Sequence, residues 1–100
     1  QLAESIQASV VQYLQPENRR ECKPAGNTIY LLWNAQVPAV IVECGFLSNA
    51  KEEELLLTED YRQRVAQAIA SGVLAWANLP EEKPQALPAV DRSGEPHAET

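Results

Sequence analysis

Residues 39–49, AVIVECGFLSN, constrain the chain most, because a run rich in β-branched residues stops abruptly at a carboxylate followed by glycine. A strand reading AVIV is expected to be buried on both faces of an α/β sheet, so Glu43 emerges where apolar packing stops, at the strand's carboxyl end. In open α/β sheets that edge is where ligands bind. Glu43 is therefore the leading candidate for a functional carboxylate.

The surrounding pattern supplies the rest of the expected architecture. Leu2, Ile6, Val10, Tyr13 and Leu14 recur at helical intervals, predicting an amphipathic helix that ends near Leu14 and is closed by Pro16. Residues 15–27 are polar, contain Pro16, Pro24 and Gly26, and form a surface connection that carries Arg19, Arg20 and Lys23. The short run TIYLLW (28–33) and the AVIVE segment, separated at Pro38, are most simply two β-type segments, with a helical turn as the alternative for the first. Asn49 is placed to cap a short helix over 50–57, with Glu52 in the reciprocal capping position. Thr58 repeats the device for a longer helix over 59–78. The apolar face of that helix is Tyr61, Val65, Ala68, Ile69, Gly72, Val73 and Trp76, spaced for packing against a sheet. From Pro80 onward prolines recur at 84, 88 and 96 and five acids stand against two bases, so residues 80–100 are expected to be a disordered tail behind a folded part spanning 1–79.

Composition excludes several function classes. One hundred residues make one small domain at most. No apolar run approaches the roughly 20 residues that a membrane-spanning helix needs. A net charge of −6, with the basic residues scattered apart from Arg19, Arg20 and Lys23, argues against a nucleic-acid partner. The chain contains no methionine and starts at Gln1 inside a helical pattern, which leads to the expectation of a piece of a longer, processed or truncated protein.

Other reactive side chains carry weaker signals. Cys22 and Cys44 lack CxxC spacing; Cys44 is expected to be a small buried residue and Cys22 an exposed one, while a bridge between them stays open. His97, the single histidine, lies in the tail and is expected to be solvated, since metal sites need several ligands on rigid elements. With no other histidine to activate Ser48 as a nucleophile, Ser48 and Asn49 are expected to cap a helix. Gly45 is expected to let the backbone turn sharply beside the site, with Phe46 and Leu47 as packing residues. Arg20 and Lys23 either meet carboxylates of a ligand or are simply solvated.

Residues 18–78 resemble the carboxyl-terminal part of the zinc-dependent N-acetylmuramoyl-L-alanine amidases, of the cell-wall and spore-germination type. The resemblance is carried by NRRECK (18–23), IYLLWNAQVPAVIVECGFLSN (29–49), the acidic KEEELL and the DYRQRVAQAIASGV helix. It implies hydrolysis of the amide between N-acetylmuramic acid and the L-alanine of the peptidoglycan stem peptide, by a zinc-bound water. Two histidines and a glutamate hold the zinc in that family, and a further glutamate, at the position matching Glu43, acts as general base. The chemistry is sound in its own terms, because an activated water needs a proton acceptor within hydrogen-bond reach. The bland alternative is that Glu43 pairs with Lys23 or an arginine at a sheet edge.

Departures from the family pattern matter too. The histidine ligands are absent and are expected upstream of Gln1, so the chain alone is expected to be inactive. Trp33 stands where close relatives would carry a basic residue, suggesting a buried or partner-covered surface there. The fold implied is α/β: helix, two strands, short helix and long helix, forming part of a mixed sheet flanked by helices and completed by upstream strands. Peptidoglycan as substrate places the protein outside the cytoplasmic membrane, in wall turnover such as sporulation or germination. The competing expectation is a degenerate, non-catalytic module that binds wall fragments or a partner amidase.

Overall fold

The computed structural model describes residues 1–80; the tail expected from residue 80 onward falls almost wholly outside them. Four helices appear in this region: α1 (Leu2–Tyr13), α2 (Tyr30–Trp33), α3 (Ala50–Leu56) and α4 (Glu59–Trp76). Among the described residues there is no strand, and this overturns the mixed sheet of the α/β expectation. TIYLLW contributes the single helical turn α2, and residues 39–46 carry no regular structure. The physical reason is that a β-branched run has no secondary structure of its own without a partner ladder to take its amides and a neighbour to cover its faces. Here Ile41 and Val42 remain exposed.

The core lies between α1 and α4. Three side-chain bonds give the direction of packing: Ser5 Oγ donates to Gly72 O at 2.6 Å, Ser9 Oγ to Ala68 O at 2.6 Å, and Gln15 Nε2 to Tyr61 Oη at 2.7 Å. Numbers rise on α1 as they fall on α4, so the helices run antiparallel. Ile6 and Val10 pack with Ala68, and Leu14 packs with Tyr61 and Val65. The apolar stripe of α4 meets α1 in place of the expected sheet, leaving Val73 and Trp76 partly in solvent.

Gly72 makes this approach practicable. A Cβ built there would lie 2.6 Å from Ile6 Cα and 2.9 Å from Ser5 O, so the backbones touch where a larger residue would force them apart. The helix ends follow ordinary capping chemistry. Asn49 Oδ1 accepts from Glu52 N–H at 3.1 Å, and Thr58 Oγ1 accepts from Tyr61 N–H at 3.3 Å. α4 closes with Asn78 in the left-handed region (φ 58°), Leu79 N–H donating to Leu74 O at 2.9 Å and Asn78 N–H to Ala75 O at 3.2 Å. Asparagine tolerates this conformation better than other side chains do, which is why the helix stops here.

Candidate functional site

Glu43 lies in the irregular segment between Pro38 and Phe46, with its side chain exposed. Neither Lys23 nor an arginine pairs with it, so the edge ion pair offered as the bland alternative does not form among the described residues. The carboxylate is open to solvent and to whatever approaches this face.

The loop that follows Glu43 is held far more firmly than its lack of regular structure suggests. Phe46 is pinned through both ends of its backbone: its N–H donates to the Glu52 carboxylate at 2.8 Å, and its carbonyl accepts from Asn49 N–H at 3.0 Å. Its ring is covered by the Arg20 guanidinium, 4.6 Å from the centroid. Gly45 rests directly on α3, where an added Cβ would meet Leu56 Cδ1 at 3.2 Å and Glu52 Oε1 at 3.5 Å. The glycine lets the loop sit close to α3, where an added methyl would require Leu56 Cδ1 to give way by a few tenths of an ångström; its φ is not positive, so the sharp turn expected of it is not its role.

Arg20 is itself placed by a relay of side chains that starts in the core. Tyr61 Oη accepts from Gln15 Nε2; Gln15 Oε1 accepts from Asn18 Nδ2 at 2.8 Å; Asn18 Oδ1 accepts from Arg20 N–H at 2.8 Å; and Arg20 O accepts from Gln7 Nε2 at 3.0 Å. The polar connection after α1 is thereby fixed to α1 and α4 at one end and set over Phe46 at the other. Of the two basic residues considered as ligand contacts, Arg20 is brought to the Glu43 loop in this way, while Lys23 stays exposed.

The remaining candidates separate cleanly into those the fold uses and those it leaves aside. Asn49 caps α3 as expected and is buried; Ser48 and Leu47 are exposed. Cys22 and Cys44 are both free and both exposed, which corrects the expectation that Cys44 is buried. The segment carrying Cys44 packs against too little to cover it. Trp33 is 63% exposed. His97 lies outside the described residues. Among the described residues no three of His, Cys, Asp and Glu converge as a metal-ion site.

The residue whose importance the sequence understates is Glu52. Its pattern marks it only as a capping partner, yet it is 6% exposed and every other acid among the described residues is exposed. The available signal is its place three residues after Asn49 in a run of three glutamates, which turns the first of them toward the preceding loop.

Most of this chain resembles known proteins of one family. Residues 1–75 match the N-acetylmuramoyl-L-alanine amidase family. The germination-specific N-acetylmuramoyl-L-alanine amidase of Bacillus subtilis (strain 168) is 33% identical over 82 residues, covering 76% of this chain and 35% of that protein. AmiA, an N-acetylmuramoyl-L-alanine amidase of Escherichia coli (strain K12), is 46% identical over 46 residues, covering 46% of this chain and 16% of that protein. The uncharacterized protein YqiI of Bacillus subtilis (strain 168) is 33% identical over 72 residues, covering 72% of this chain and 34% of its own length. The chain thus spans about a third or less of the length of these relatives. No solved structure matches it. With three quarters of its residues inside the family match, the chain belongs to the N-acetylmuramoyl-L-alanine amidase family.

Proposed function

We propose that this chain is the part of a peptidoglycan amidase that supplies the general base, Glu43. The enzyme cleaves the amide between N-acetylmuramic acid and the L-alanine of the stem peptide. The observation that carries this reading is the combination of an exposed, unpaired carboxylate with a following loop anchored to α3 and to the connection after α1. A carboxylate not held by a cation is the stronger proton acceptor, and one held still accepts the proton from one place.

In this reading Glu43 takes a proton from the water that attacks the amide carbonyl and then returns it to the nitrogen of the departing L-alanine. Zinc belongs to the chemistry implied by the resemblance, but the described residues do not make a site for it. The chain's own contribution is the carboxylate and the frame around it. The isolated 100 residues are accordingly expected to be inactive. Because peptidoglycan lies outside the cytoplasmic membrane, the enzyme works in an extracytoplasmic setting, and the likeness to a germination-specific amidase makes spore or wall turnover a fitting context.

The test is to incubate the full-length protein carrying this chain with purified peptidoglycan and identify the new amino termini. Release of stem peptides beginning with L-alanine supports the assignment. Intact wall, or cleavage at a glycosidic or internal peptide bond, contradicts it.

A further inference from the structure

We propose that Glu52 is a positioning residue for the reaction, acting through Phe46 to fix where Glu43 stands. This rests on the reading of Glu43 as general base and extends it to a buried residue under the loop that follows it.

The argument starts from the cost of burying a carboxylate. Moving an ionised acid out of water is unfavourable unless hydrogen bonds replace the water. A glutamate at the third position of a helix can serve the helix dipole while fully solvated, so capping α3 does not by itself call for burial. Glu52 is nevertheless 6% exposed, and its Oε1 accepts Phe46 N–H at 2.8 Å, across six residues of sequence. Asn49, 2% exposed, completes the frame: its Oδ1 takes Glu52 N–H, and its own N–H donates to Phe46 O. Gly45 lies beside the Glu52 side chain, where an added Cβ would be in ordinary van der Waals contact with Glu52 Cβ at 3.6 Å. The two residues directly after Cys44 are therefore seated on Glu52, and Glu43 lies two positions before the first of them. A buried charge-assisted bond gives the loop a single seat. Without that acceptor the Glu43 loop loses this anchor and can shift. Misplacement of a reacting group by about 1 Å can cost roughly a hundredfold in rate.

The experiment uses the full-length protein with peptidoglycan as substrate and measures kcat, KM, zinc content and melting temperature for Glu52→Ala, Glu52→Gln, Gly45→Ala and Glu43→Gln. Glutamine keeps a carbonyl oxygen for Phe46 N–H, whereas alanine removes it. The expected result is a fall in kcat of about ten- to a hundredfold for Glu52→Ala, with KM within about threefold and zinc retained. Glu52→Gln should recover kcat to within about fivefold of the unaltered enzyme. Gly45→Ala, whose added methyl would stand 3.2 Å from Leu56 Cδ1 and so crowd the seat without removing the Glu52 carboxylate, should lower kcat with KM unchanged; it decides the matter if Glu52→Ala does not fold. Unchanged kcat in a folded Glu52→Ala or in Gly45→Ala overturns the positioning role. So does a Glu52→Gln enzyme as slow as Glu52→Ala, because charge and not the brace would then be what matters. If Glu43→Gln keeps its activity, the base assignment fails first, and that outcome is distinct from an inactive Glu43→Gln beside a fully active Glu52→Ala.

Discussion

The α1–α4 pair and the stretch from Asn18 to Asn49 are built in opposite ways. Where the two helices meet, small residues let backbones approach, two serines bond across the seam, and Ile6, Val10, Leu14, Val65 and Ala68 leave water. In the connecting stretch Tyr30, Leu31, Trp33, Val37 and Ile41 stay exposed, and order comes from single side chains reaching in from the helices. Continuous packing provides stability, since each buried apolar side chain contributes about 1.5–3 kcal/mol. Isolated hydrogen bonds contribute only about 0.5–1.5 kcal/mol each, yet they specify position. The candidate base sits in the second kind of structure, next to its best-anchored point.

The largest expected stability effect lies in the first region. Gly72→Ala should destabilise the fold by about 2 kcal/mol net, overpacking against Ile6 and Ser5 outweighing the gain of about 1 kcal/mol in helix propensity. Denaturant melts would show it, and a neutral or stabilising Gly72→Ala would mean that the helices do not approach as described. A smaller effect sharpens the contrast between the two caps. Asn49→Ala should cost about 1.5 kcal/mol, toward the upper end for a cap because the side chain is buried, against about 1 kcal/mol for Thr58→Ala. Asn49→Ala should also reduce activity, whereas Thr58→Ala should not; equal effects on activity would remove the distinction between a cap that holds the loop and one that only starts a helix. Smallest of all, Leu31→Ser should change stability by less than about 0.5 kcal/mol, because Leu31 is 79% exposed. A cost above about 2 kcal/mol would show that the exposed stretch is covered in the protein as it exists.

How much of this is legible in the sequence follows from the range of each interaction. α1, α3 and α4 are readable because their periodicity and caps are local: Leu2, Ile6 and Val10 share a face, and Asn49 and Thr58 announce helix starts. The two expected strands do not form because β propensity in AVIVE becomes structure only with a partner ladder, which no local pattern reports. The same limit explains Cys44, expected inside such a strand and found exposed. Glu43 stands out through the abrupt change from apolar run to acid and glycine. Its support does not: the seat on Glu52 spans a loop, and the Arg20 cover depends on a relay through Asn18, Gln15 and Tyr61 that joins both ends of the fold.

The central claim is that Glu43 moves the proton in amide cleavage while the frame around it only holds it in place. The most direct measurement is the rate of stem-peptide release from peptidoglycan by the full-length protein and its Glu43→Gln variant, with zinc content and melting temperature taken alongside. A loss of about two to four orders of magnitude, with zinc and stability unchanged, is the predicted result, being the size of a positioned general base. Activity within about tenfold of the unaltered enzyme would contradict the account and leave Glu43 a solvated residue on an exposed loop.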